Sequence, residues 1–134
     1  MPLLEVENLC TWFPVLGGVM RRKVGDIRAV DNVSFTIEAG KTVGLVGESG
    51  SGKTTVGRTI LKLIPPTSGL VKFDGREILP LSEREFRPLR REIQMIFQDP
   101  YASLDPRQSI GAAIAEPIKI QTTLSKAARK ERVA

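Results

Sequence analysis

Histidine is absent from the 134 residues, and that absence removes whole reaction classes. A Ser-His-Asp triad cannot be assembled. No Cys/His spacing offers a zinc site, and the single cysteine, Cys10, has no imidazole to activate it. One cysteine also excludes an internal disulfide and fits a reducing compartment. Long apolar runs are missing too, so nothing approaches the length of a membrane span. Met1-Pro2-Leu3-Leu4-Glu5 lacks the basic start and apolar core of a signal peptide. Internal repeats and low-complexity tracts are likewise absent. These shortages together point to the cytoplasm.

What remains is ordinary for a globular protein: 41% hydrophobic and 26% charged residues, enough for one buried core and too apolar for disorder. Net charge is +5, which raises the question of nucleic acid or anionic lipid. The Lys and Arg are spread along the chain, however, and the densest group, Arg21-Arg22-Lys23, reads as a loop tip. Solvated surface accounts for them, and no nucleic-acid partner is expected.

The informative stretch is Gly47-Glu48-Ser49-Gly50-Ser51-Gly52-Lys53-Thr54. Its spacing is that of a phosphate loop, and its context agrees. Thr42-Val43-Gly44-Leu45-Val46 ahead of it reads as a buried parallel strand at the centre of a sheet. Val56, Ile60, Leu61 and Ile64 behind it recur at helical spacing until Pro65-Pro66. The alternative is a flexible Gly/Ser turn with a surface lysine, which leaves both flanks unexplained. Glycines let consecutive N–H groups curl around phosphate oxygens, and the following helix aims its unpaired N–H groups and dipole at the same anion. Lys53 would reach the β- and γ-phosphates, the Thr54 hydroxyl would hold Mg²⁺, and Thr55 offers one further hydroxyl.

Around this unit the pattern predicts an alternating, edge-type strand over Leu3–Leu9 and a long, polar hairpin connection over residues 14–26. Two short strands follow, Ile27–Val30 and Val33–Ile37, separated by Asp31-Asn32. Trp12 and Phe13 admit two readings, plain core or a stacking partner for adenine. Further on, Leu70–Phe73 and Glu77–Leu79 form a hairpin across Asp74-Gly75. Ser82 and Glu85 make a capping box for a helix to about Arg91. Ile93–Phe97 reads as a strand ended by Gln98-Asp99-Pro100. A helix over Ile110–Ala115 stops before Pro117, and another restarts over Thr122–Ala134 with Thr123 or Ser125 as cap.

Arg28-Ala29-Val30-Asp31-Asn32-Val33-Ser34-Phe35 and Gln94-Met95-Ile96-Phe97-Gln98-Asp99-Pro100 resemble the nucleotide-binding domain of ABC transporters. The run Phe97–Arg107 and the Gly-rich basic insert after Phe13-Pro14 resemble ATPase subunits of oligopeptide/dipeptide importers. The resemblance implies an α/β P-loop NTPase fold: an antiparallel β-subdomain, the start of a RecA-like core and the start of a helical subdomain. It divides the chain into residues 1–115, the N-terminal part of the nucleotide-binding domain, and 116–134, the start of the helical subdomain. It implies that Gly47–Thr54 is the Walker A loop binding ATP with Mg²⁺. Gln98 is then the Q-loop glutamine, contacting the metal or the attacking water beside the surface that a permease touches. Phe13, with Trp12 as the alternative, becomes the adenine-stacking aromatic. The implied partners are integral-membrane permease subunits and a second ATPase subunit, as homo- or heterodimer. The implied location is the inner face of the cell membrane.

The signature motif, the Walker B aspartate with its glutamate and the switch histidine have no counterpart here. Met95-Ile96-Phe97-Gln98-Asp99 fails as a Walker B because glutamine precedes the aspartate. The expectation is the N-terminal part of a subunit, cut within its helical subdomain. Two other classes compete with it. One is a self-contained P-loop kinase with a lid drawn from Arg84, Arg87, Arg90 and Arg91, in which the Gln98 run has no role. The other is a non-enzymatic nucleotide-binding module.

Overall fold

The computed structural model describes residues 1–18, 21–99 and 104–133. The chain forms two compact units, Met1–Phe86 and Arg87–Ala134. Among the described residues no helix is long and apolar enough to cross a membrane.

The first unit is built on an antiparallel sheet in the order β2-β1-β3-β4: β1 (Pro2–Gly17), β2 (Arg22–Glu38), β3 (Ser68–Phe73) and β4 (Arg76–Glu77). The first strand is central, not an edge, because β2 and β3 pair with it from opposite sides. The expected connection over residues 14–26 is mostly strand. Phe13 pairs with Ile27, Val15 with Gly25 and Gly17 with Arg22, and the turn is closed by Arg21 N–H donating to the Gly18 carbonyl at 3.1 Å. Glycine, proline and charge hid a ladder that cross-strand pairing enforces. The two short strands expected around Asp31-Asn32 are one strand. Asn32 absorbs the break in a left-handed conformation, φ 55°, as an irregularity in the register between Leu9 and Thr11. Asn8, φ 48°, does the same on β1. It shifts the alternation so that Val6 and Leu9 are both buried in the core with Val30, Val71, Ile78 and Phe86.

One helix of the unit, α1 (Lys53–Ile60), packs on β1 and β2. It stops at Ile60, short of the expected Ile64: Lys62 takes a left-handed conformation, φ 55°, and its ammonium donates to the carbonyls of Leu79 and Leu81. The expected strand over residues 42–46 does not form. Val43 and Leu45 are half exposed and Val46 is 91% exposed, because no strand among the described residues lies beside them. An apolar run becomes a parallel strand only between neighbours.

The β3–β4 turn places Asp74 and Gly75 at φ 48° and 73°, as an Asp-Gly hairpin requires. The capping box is present at α2 (Glu83–Phe86): the Ser82 N–H and hydroxyl donate to Glu85 Oε2 at 2.8 and 2.6 Å. Those two bonds hold the Glu85 carboxyl below its ordinary pKa. Their contribution is present at neutral pH and lost as pH falls through that lowered value.

In the second unit a 3₁₀ turn (Arg87–Arg91) precedes α3 (Ile110–Gln121) and α4 (Lys126–Val133). Ile93–Phe97 is irregular rather than a strand, with Ile96 98% exposed; it too lacks a neighbour among the described residues. The third helix runs through Pro117 instead of stopping before it, and closes where the Thr122 N–H and hydroxyl both donate to the Ile118 carbonyl. Ser125, one of the two expected caps, accepts from the Ala128 N–H at 3.2 Å at the head of α4.

A buried hydroxyl relay fastens α1 to the sheet. Thr59 donates to the Thr55 carbonyl at 2.8 Å, which leaves Thr11 on β1 to donate to Thr59 Oγ1 at 2.9 Å. Both threonines are fully buried. Thr59→Val strands the Thr11 hydroxyl without an acceptor and is expected to cost about 1–3 kcal/mol. Thr11→Val leaves Thr59 bonded to Thr55 and should cost less, and the double variant less than the sum of the two. Urea unfolding of the four proteins checks the order.

Candidate functional site

The loop ahead of α1 is shaped by its glycines. Gly50 and Gly52 sit at φ 81° and 91°, and the Ser51 N–H closes a turn on the Glu48 carbonyl at 3.2 Å. Gly52 is the N-cap and supplies no side-chain cap. The opening N–H groups of the helix therefore lack the side-chain acceptor that a Ser or Asp would give them. A Cβ on Gly52 would fall 2.0 Å from the Ala29 carbonyl oxygen, and one on Gly47 would fall 2.7 Å from Ser51 Oγ and 3.9 Å from Lys53 Nζ. Glycine at the first position leaves room for the Ser51 hydroxyl, and glycine at the sixth lets the loop lie against β2.

Lys53 opens the helix and turns its ammonium back into the loop, donating to the carbonyls of Gly47 (2.7 Å) and Glu48 (2.5 Å) and to Ser51 Oγ (3.1 Å). Gly47, Glu48, Ser49, Gly50, Ser51 and Thr54 are exposed; Gly52, Lys53 and Thr55 are partly covered. No acidic residue occupies the first turn of α1. A cation inside the loop, N–H groups without a side-chain cap and the positive end of the helix dipole fit an anion with several oxygens. Among the described residues no cluster of three or more His, Cys, Asp or Glu forms a metal site. A divalent cation here would rely on phosphate oxygens, with the Thr54 hydroxyl as the protein's ligand.

The two neighbouring aromatics are placed differently. The Trp12 ring carries the Arg28 guanidinium 4.4 Å above its centroid, its Nε1–H donates to Asp31 Oδ1 at 3.2 Å, and Arg28 bridges to the other Asp31 oxygen at 3.4 Å. Phe13 is paired with Ile27 and 39% exposed. One face of the indole is thus occupied, while the phenyl ring is open. Arg28 and Asp31 escaped the sequence reading: their spacing matches no periodic signal, and only the bulged register brings them onto Trp12. Thr11 and Thr59 were missed for a related reason, since nothing local marks two threonines 48 residues apart as partners.

Gln98 lies in the second unit, exposed, on irregular backbone. The expected strand does not lead into it. Pro100, Tyr101, Ala102 and Ser103 of the motif run lie outside the described residues. Beyond them Arg107 grips Asp105 through Nε and Nη2, both at 3.1 Å, and through its N–H at 2.9 Å. The guanidinium holds the Asp105 carboxyl below the usual carboxylate range.

Residues 30–133 match the ABC transporter family. The oligopeptide transport ATP-binding protein AppF of Bacillus subtilis is 46% identical over 98% of this chain, which spans 40% of that relative. The glutathione import ATP-binding protein GsiA of Escherichia coli is 50% identical over 92% of the chain and 20% of the relative. The chain therefore spans well under half the length of these two relatives. Among solved structures, the ATP-binding cassette MJ0796, a dimer in a post-hydrolysis state with ADP and Pi, superposes with a TM-score of 0.75 at 25% identity. That match covers 97% of this chain and 53% of the cassette.

The glycines separate experimentally. At Gly50, where a Cβ meets nothing within 4 Å, Gly50→Ala should cost only the left-handed penalty, about 1–2 kcal/mol. Gly52→Ala adds the collision with Ala29 and should cost clearly more. Chemical denaturation of both variants tests the difference.

Proposed function

The chain belongs to the ABC transporter family, and on that footing we propose that it is the ATP-binding portion of an importer ATPase subunit. The observation that carries this reading is Lys53, with its ammonium inside the glycine loop at the head of α1. In this reading Lys53 exchanges its carbonyl acceptors for β- and γ-phosphate oxygens, and the N–H groups of Gly47 to Thr55 line the rest of the cradle. The Thr54 hydroxyl ligates Mg²⁺ and Phe13 stacks on the adenine. Trp12, already held between Arg28 and Asp31, backs the site. Gln98 is the Q-loop glutamine of this reading, its neutral amide suited to a metal or an attacking water.

Residues 1–115 then belong to the nucleotide-binding domain proper and 116–134 to the start of its helical subdomain. The whole subunit would sandwich ATP against a second ATPase subunit and dock on permease subunits at the inner face of the membrane. The names of AppF and GsiA, an oligopeptide and a glutathione system, support peptide-like cargo. Hydrolysis would drive its import.

Calorimetry should show Mg-ATP binding that Lys53→Ala weakens by roughly 1.5–3 kcal/mol, the scale of hydrogen bonds to charged groups; equal affinities would remove the assignment. Trp12, the only tryptophan, should change its fluorescence as nucleotide saturates the neighbouring Phe13.

Phosphate release from this chain with Mg-ATP should not exceed a Lys53→Ala blank. Phosphoryl transfer to water requires the metal fixed, the water oriented and developing charge offset, and the sequence contains no signature motif, Walker B pair or histidine. Each missing stabiliser costs about 10²–10³ in rate. Turnover above the blank would favour a self-contained ATPase or kinase.

A further inference from the structure

The outer part of the β1–β2 hairpin stands beyond the reach of β3, which pairs with β1 only from Leu4 to Cys10. From the Phe13–Ile27 pair to the Gly17–Arg22 pair it is a two-stranded arm. Strand alternation puts Phe13, Val15 and Gly17 on one face of β1, with Ile27 opposite Phe13. Val24 is the extra residue where the register shifts between Val15 and Leu16, and its side chain lies 2.9 Å from where a Gly17 Cβ would be. It therefore shares that face. The result is an apolar stripe open to solvent: Val15 is 37% exposed, Ile27 60% and Val24 67%. At its end stand Arg21, Arg22 and Lys23. Lys23 is engaged by Asp26 at 2.9 Å, while Arg21 and Arg22 are exposed and form no ion pair among the described residues.

We propose that this arm is a contact surface for an anionic phospholipid layer, with the valine–isoleucine stripe laid against the acyl boundary and the two free arginines at the lipid phosphates. Apolar side chains on one face with cations at the flank meet the two requirements of interfacial binding. An acidic peptide would satisfy the arginines and leave the stripe uncovered; anionic lipid satisfies both. Neither the loop nor α1 takes part; Phe13, assigned above to the adenine, lies on the same face opposite Ile27.

The test is co-sedimentation of the 134-residue chain with equimolar phosphatidylglycerol/phosphatidylcholine vesicles and with phosphatidylcholine alone, at low salt. Binding to the anionic vesicles only is expected. With each cation near such a surface contributing a factor of about five, Arg21→Glu/Arg22→Glu should lower partition about 25-fold or more. Lys126→Glu/Lys130→Glu makes the same change in net charge on α4 and should shift partition far less. Val15→Ser/Val24→Ser should lower partition severalfold, with circular dichroism confirming the fold of each variant. Three results would overturn the proposal: equal binding to neutral vesicles, equal loss in the two charge-reversal pairs, or no vesicle binding, including the case where the chain captures polyglutamate instead.

Discussion

The place where the Gly52 backbone lies against the Ala29 carbonyl governs the rest of the first unit. Ala29 is the extra residue where the β1–β2 register shifts between Thr11 and Trp12, so the sheet itself advances that carbonyl toward the loop. No side chain fits between the two backbones. The shape of the loop accompanies that approach: the left-handed turn, the start of α1 at Lys53 and the return of the lysine over Gly47 and Glu48. The buried relay from Thr11 through Thr59 to Thr55 holds the same helix from behind. The loop is therefore set by two contacts to one sheet, one made of backbone and one of hydroxyls.

The glycine loop and the helix that starts at Lys53 were legible in the sequence because their requirements are local. Glycine at fixed positions, lysine at the head of a helix and a Val-Ile face behind it are all consecutive in the chain. The Asp74-Gly75 hairpin and the Ser82/Glu85 cap were legible for the same reason. What failed were the features that depend on a partner far away in sequence. Thr42–Val46 and Ile93–Phe97 carry strand composition, yet neither has a neighbouring strand among the described residues. The bulges at Asn8 and Asn32 broke the alternation that pattern reading relies on, and they made one long ladder look like short strands. The hairpin arm was obscured by its own glycine, proline and charge. Phe13 and Trp12 were indistinguishable as letters; only the register shows which ring carries Arg28.

The family comparison and the geometry constrain different things. The match over residues 30–133 establishes the kind of protein. The geometry shows the glycine loop and its lysine assembled at the head of α1, while no strand among the described residues lies beside the segment leading into the loop. The chain spans 40% of AppF and 53% of the MJ0796 cassette, so the family match describes a part of those proteins.

That unsupported segment also sets the colloidal behaviour of the chain. Residues 42–46 present exposed valine and leucine on backbone that no described strand pairs with, which is the combination that templates pairing between molecules. Opposing it is a net charge of +5, which keeps copies apart through a repulsion that salt screens. Self-association of this chain thus sets exposed apolar segments, this one and the hairpin stripe among them, against its long-range charge. Added salt, by screening that repulsion, is expected to favour self-association.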